Sequence, residues 1–200
     1  MSIQASQIKE LREATGAGIL DCRSALEESG GDLQSAIALL HRKGLAAAAK
    51  RADRETRNGV LDLYSHGEGR VGVMVEVNCE TDFVARTVEF RNFAHEIALQ
   101  IAATSPKWIG RQDVPEEQLE AERQKARKQA SDDGKPEGII DRIVEGRLEK
   151  FFTENCLLDQ AYIRDEERTV AEVLQETVAK TGENIGIRRF ERWSVGEDVD

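Results

Sequence analysis

The sequence predicts an α+β fold: a small antiparallel sheet packed with helices, preceded by a helical N-terminal module. Three observations carry that prediction. Val71, Val73, Val75 and Val77 alternate with Gly72, Met74, Glu76 and Asn78, a period-two strand with one strongly β-branched face. Before it lie three short helical patterns separated by breaks at Thr15-Gly16-Ala17-Gly18 and Gly30-Gly31. After it come longer helical patterns and a last hydrophobic segment from Ile185 to Val195. A chain of 200 residues can hold one ordinary domain of about 100–150 residues plus a small accessory one. The predicted division is a three-helix module at 1–44, a helical linker at 45–59 and an α+β core at 60–200, with a charged helical hairpin at 116–154.

In the module, Ser6 can cap a first helix carrying Ile8 and Leu11 on one face. A second helix runs from about Ile19 with Cys22, Ala25 and Leu26 inward and stops at Gly30-Gly31. Asp32 then caps a third, carrying Leu33, Ala36, Ile37 and Leu40 as far as Gly44. On pattern alone such a module binds peptides, binds nucleic acid, or is simply folded. From Leu45 the chain is strongly helix-forming, then charged, and it ends on the turn dipeptide Asn58-Gly59. Lys50, Arg51, Arg54 and Arg57 interleave with Asp53 and Glu55, which reads as a solvated face.

The core opens with Val60, Leu61, Leu63 and Tyr64 as a strand, and His66-Gly67-Glu68-Gly69-Arg70 turns it back into the strand at Val71. Beyond that strand, Thr81 can cap a helical turn while Asp82 places a carboxylate at its positive end. By residue type alone Phe83 is a core residue. Phe90, Phe93, Ala94, Ile97 and Ile101 mark an amphipathic helix ending near Ser105-Pro106. Trp108 to Pro115 reads as a connection. Glu116 to Ala130 reads as a charged helix whose one large apolar residue is Leu119, with Glu122 and Ala126 indicating how little of it is buried. Asp132 to Pro136 breaks it. A further helix then carries Ile139, Ile140, Ile143, Val144, Leu148, Phe151 and Phe152. Leu157-Leu158 and Tyr162-Ile163 bound an irregular passage. Thr169 begins a helix with Val170, Val173, Leu174 and Val178 inward, ending at Gly182. Ile185, Ile187, Phe190, Trp193 and Val195 belong in the sheet beside the hairpin, and residues 196–200 are expected to fray.

Composition excludes several functions. A net charge of -10 opposes phosphate binding through clustered cations as the main activity. No apolar run approaches the roughly 20 residues that span a bilayer, and Met-Ser-Ile-Gln-Ala-Ser lacks the regions of a secretory signal, so a cytoplasmic location is expected. Cys22, Cys79 and Cys156 are odd in number and without the spacing of zinc or redox motifs, which predicts buried thiols in a reducing compartment. His41, His66 and His95 are far apart, and no glycine-rich phosphate loop or nucleophile motif is present. No catalytic residue, metal ligand or cofactor is predicted.

Glu76 to Arg86, Glu-Val-Asn-Cys-Glu-Thr-Asp-Phe-Val-Ala-Arg, resembles the second signature of the elongation factor Ts family, the guanine-nucleotide exchange factors for the GTPase elongation factor Tu. Leu11 to Leu26 resembles that family's N-terminal signature, with Arg23 where the pattern usually has Lys. Gly182 to Phe190 is similar to its closing region. With one hairpin-helix unit the chain is similar to the short form of the family.

The resemblance implies a ubiquitin-associated-like module that docks on the GTPase through Leu11, Arg12, Ile19 and Leu20. It also implies an exchange site at Thr81, Asp82, Phe83 and Val84. There Phe83 would wedge near the partner's second switch and Asp82 would help disturb its magnesium site. A homodimer is implied as well, as is the need for no cofactor, while the residues themselves predict no covalent chemistry, the net charge no direct nucleic-acid contact and the hydropathy no membrane. The alternative from the helices alone is a peptide- or nucleic-acid-binding adaptor.

Overall fold

The computed structural model describes residues 3–15 and 17–198. Gly16 and the final Val199-Asp200, part of the expected first break and of the expected fraying tail, lie outside the described residues. The chain is α+β, with eight α-helices and a small antiparallel three-stranded sheet among the described residues. It divides into two compact units.

The first unit comprises the residues up to Val60 together with Val77–Phe93 and Leu174–Gly186. Its N-terminal helices are α1 (Ala5–Thr15), α2 (Ile19–Glu28) and α3 (Leu33–Ala49). Leu11, Cys22, Ala25, Leu26 and Ala36 are fully buried between them, with Ile8, Leu33, Ile37 and Leu40 packed around. Gly30 and Gly31 reverse the chain with φ of 62° and 89°, a region open to glycine at little steric cost. The Ser35 N–H donates to Asp32 Oδ1 at 2.8 Å, the expected cap of α3. At α1 the first turn is closed by Gln7, whose Oε1 accepts from the Gln4 N–H at 3.0 Å, and the helix starts one residue before Ser6.

Gly44 does not end α3. The alanines from Ala46 to Ala49 have the highest helix propensity and carry the helix on. Gly44 instead serves packing: a Cβ there would lie 3.0 Å from that of Ala179 in α8 (Val170–Thr181). The linker is therefore helical only to Ala49, and residues 50–57 are turn and coil. Asn58-Gly59, expected as a turn, opens the strand β1 (Asn58–His66). Asn58 Nδ2 donates to the Glu80 carbonyl at 2.8 Å, and a Cβ on Gly59 would sit 2.2 Å from the carbonyl oxygen of Val77 in β2 (Val71–Cys79). Only a glycine allows that approach. This unit also buries Val77, Cys79, Ala85, Phe90 and Phe93.

The second unit comprises Leu61–Glu76, Ala94–Val173 and the chain from Ile187. It buries Val73, Val75, Ala94, Ile97, Ala98 and Ile101, on the β2 and α5 (Val88–Thr104) faces that the sequence periodicity assigned. The sheet order is β1-β2-β5, with β5 at Ile185–Ser194, the expected last strand beside the hairpin. Glu197 is tied rather than frayed: its carboxylate accepts from the Ser194 N–H at 2.8 Å and from Arg192 at 2.6 Å.

Helices α6 (Glu116–Asp132) and α7 (Glu137–Asn155) form the expected hairpin. Ala126 and Ala130 are buried with Ile140 and Val144, so the small residues that read as solvated are the ones that let the helices close. The hairpin root is built, not merely connected. Arg111 forks onto Glu149 with two 2.8 Å bonds, donates to Asp159 at 2.6 Å, and lies 4.6 Å over the Phe152 ring. The irregular passage contains an unexpected two-stranded antiparallel sheet, β3 (Ala161–Tyr162) and β4 (Asp165–Thr169). Thr169 then opens α8 with a capping box: its hydroxyl accepts from the Glu172 N–H at 3.2 Å, and the Glu172 carboxylate accepts from the Thr169 N–H at 2.7 Å. All three cysteines are free and buried, as the sequence predicts. Among the described residues no helix is long and apolar enough to cross a membrane.

Candidate functional site

Where β2 ends, Thr81 stands in extended conformation, φ -125° and ψ 157°, and its hydroxyl accepts from the Val84 N–H at 3.4 Å. This cap starts the single helical turn α4 (Asp82–Ala85). Thr87 ends it, donating to the Val84 carbonyl at 2.8 Å while accepting from the Phe90 N–H at 3.3 Å, which caps α5 in turn. A four-residue turn is thus pinned at both ends. Ala85 is buried and Val84 half-buried, but Phe83 is 79% exposed. The core role that its residue type suggests is overturned: the ring makes almost no use of the interior. Asp82 is also exposed, and its Oδ2 accepts from Arg86 at 2.8 Å.

Beneath the turn lies a polar network that sequence reasoning did not assemble. Glu183 accepts from the Thr81 N–H through Oε2 at 3.0 Å and from the Thr81 hydroxyl through Oε1 at 2.6 Å. Glu80 Oε1 accepts from the Asn184 N–H at 2.6 Å. Asn184 Nδ2 donates to the carbonyls of Ala52 at 3.1 Å and Arg54 at 2.8 Å. The Cys79 thiol donates to the Thr81 carbonyl at 3.1 Å; burial pushes this thiol up to about 11, and the nearby Glu183 carboxylate adds to the shift. A separation of 102 residues between Thr81 and Glu183 leaves no local pattern to find. The only signal was that Gly182-Glu183-Asn184 fell in the closing stretch of the family resemblance.

The second group of expected site residues lies on the N-terminal helices of the same unit. Ile19 is 58% and Leu20 80% exposed at the first turn of α2. Arg12 lines an open depression together with Ala5, Ile8, Lys9, Glu13 and Ile19. Leu11, expected among the contact residues, is fully buried in the module's core, so it has no surface to offer and instead holds the helices together. Arg23 makes an exposed i,i+4 pair with Glu27 at 2.9 Å. Among the described residues no group of three or more His, Cys, Asp or Glu side chains is placed to hold a metal ion.

Large apolar side chains thus stand exposed at the starts of α4 and α2 in a protein of the α+β class. The comparisons with known proteins agree on its family. A sequence model described as elongation factor Ts matches residues 45–197. The chain is 60% identical to the elongation factor Ts of Caldanaerobacter subterraneus subsp. tengcongensis, covering 99% of both chains. It is 52% identical to that of Moorella thermoacetica, over 98% of this chain and 97% of the relative, and 52% identical to that of Coprothermobacter proteolyticus, over 98% of this chain and 100% of the relative. The chain belongs to the elongation factor Ts family, a family of translation elongation factors.

Proposed function

We propose that this protein promotes release of GDP from elongation factor Tu so that GTP can rebind, with the turn Thr81-Asp82-Phe83-Val84 as the acting element. The observation that carries the reading is Phe83, exposed on a turn whose two ends are hydrogen-bonded. Tight nucleotide binding in such a GTPase rests on phosphate contacts and Mg²⁺, and displacing the elements around the ion loosens the nucleotide without breaking a covalent bond. Phe83 inserts near the second switch of the partner, where its ring trades water for an apolar pocket. Asp82 exchanges its intramolecular partner Arg86 for groups near the magnesium site. Arg12, Ile19 and Leu20 hold the GTPase domain meanwhile, and two tethered contacts raise the effective concentration of each. By linkage, GDP weakens binding of the factor as much as the factor weakens binding of GDP. The protein acts in the cytoplasm, with no cofactor, no covalent chemistry and no direct contact to nucleic acid.

The same reading includes a homodimer. Leu61, Leu63, Met74, Trp193 and Val195 are all exposed on the strands of the second unit or just beyond, an apolar sheet surface that a second copy would cover by two-fold pairing. Light scattering at micromolar concentration should then give twice the chain mass, and a fully active monomer would remove this part. The exchange reading is tested by release of a fluorescent GDP analogue from elongation factor Tu. Acceleration that saturates with added protein is expected, and no acceleration at saturation overturns it.

A further inference from the structure

We propose that Glu183 is a positioning residue for the exchange turn, fixing the direction of Phe83 through the Thr81 hydroxyl; this rests on the exchange reading above. The Thr81 hydroxyl has one proton to donate and lone pairs to accept with. Its proton goes to Glu183 Oε1 at 2.6 Å, a charge-assisted bond. That bond sets the hydroxyl rotor and turns a lone pair toward the Val84 N–H, the bond that makes Thr81 the cap of α4. Without the carboxylate the rotor is free, and the 3.4 Å cap bond has nothing to orient it.

The rest of Thr81 is equally engaged. Its N–H donates to Glu183 Oε2, and its carbonyl accepts from the Cys79 thiol and from the Ala85 N–H at 3.3 Å. A helix of four residues has too few internal bonds to hold itself, because its nucleation cost is not repaid by propagation. Order in α4 must come from outside it, and Glu183 supplies two of the bonds.

The carboxylate reaches this place through the end of α8. The Gly182 N–H closes on the Val178 carbonyl at 2.9 Å, and Gly182 takes φ +74°, which reverses the chain and delivers Glu183 to the turn. The next residue, Asn184, fastens the same reversal to Glu80 and to the carbonyls of Ala52 and Arg54. Glu183 therefore stands on a braced corner rather than a loose loop. It touches no partner surface; it acts through Thr81.

The test uses Glu183→Gln and Glu183→Ala in the full chain. Gln keeps the size but has one acceptor oxygen, so it cannot accept from both the hydroxyl and the N–H of Thr81, and Ala accepts from neither. In the free protein, amide hydrogen exchange at Val84 and Ala85, the two amides bonded to Thr81, should speed up by about tenfold or more in both variants, while amides of β2 and α5 stay unchanged. With elongation factor Tu, the maximal rate of GDP release should fall by at least about tenfold, while the half-saturating concentration, held by the N-terminal contacts, moves less than about threefold. Unchanged α4 amide protection overturns the proposal whatever the partner does. So does an unchanged maximal rate in a variant whose turn has loosened. If the unmodified protein fails to release GDP, the exchange reading falls by itself, and the proposal falls with it as regards function.

Discussion

Two of the helix starts that expose apolar side chains, those of α4 and α2, are built in opposite ways. At α4, Thr81 caps, Glu183 orients the cap, and Thr87 closes the far end. At α2, the cap position is Gly18, φ -62° and ψ 152°, with no side-chain cap bond, and Ile19 and Leu20 follow directly. One presents an aromatic ring from a turn bonded at both ends; the other presents two aliphatic chains from a helix start that has no side-chain cap bond. The difference suits the two tasks proposed for them. An element that must displace part of a partner gains from being ordered beforehand, since ordering it on binding would subtract from the work it can do. A docking contact has only to remain attached.

The largest effect expected from this contrast is at Phe83. Phe83→Ala should weaken the interaction by about 2 kcal/mol or more, the range of an aromatic hot spot, and lower exchange at least tenfold. Because the ring is 79% exposed, the isolated fold should lose no more than about 0.5 kcal/mol. Denaturant unfolding and GDP release on the same sample check both halves; a large stability loss would put the ring back in the core.

Thr81→Ala comes next. It removes the cap and one of the two donors to Glu183, and should lower stability by about 1–2 kcal/mol. Chemical denaturation reads it, and a change under half that size would mean the turn is held mainly by the packing of Ala85. At the other helix, Leu20→Ala should weaken binding by about 1 kcal/mol with the maximal exchange rate unchanged, since it removes affinity common to all states of the partner. Titration of the half-saturating concentration distinguishes that from a loss in rate.

Much of this was legible in the sequence wherever the signal was local. The period-two valines, the caps at Asp32 and Thr81, and the helical spacing of Phe90 to Ile101 each act over a few residues, and each appears in the structure. What failed were positions whose meaning lies in another element. Gly44 looks like a stop until Ala179 is seen against it, and Ala126 looks solvated until α7 folds back on it. β4 is Asp-Glu-Glu-Arg-Thr, a poor strand by composition, and only its pairing with Ala161-Tyr162 makes it one. The site divides along the same line. Thr81, Asp82 and Phe83 lie in one contiguous signature, whereas Glu183 meets them from 102 residues away, and Leu11 was swept into the contact set because burial is not written in the motif.

The smallest effect tests whether the open start of α2 is a real deficit. Gly18 already has the extended backbone of an N-cap, so serine there needs no rearrangement, and its hydroxyl could accept an N–H of the first turn. One neighbour opposes it: a Cβ at this position lies 3.0 Å from Asp21 Oδ2, the end of an exposed side chain that can swing away into water. Serine in place of glycine at a cap is worth only a few tenths of a kcal/mol, so Gly18→Ser should stabilise the helix by about 0.3 kcal/mol. Amide exchange across α2 in the intact chain should slow by less than about twofold, because that free energy is half of RT. Faster exchange would mean that the Asp21 carboxylate already answers the helix dipole and that serine displaces it; the contrast between the two starts would then be one of charge against hydroxyl, not of absence against presence.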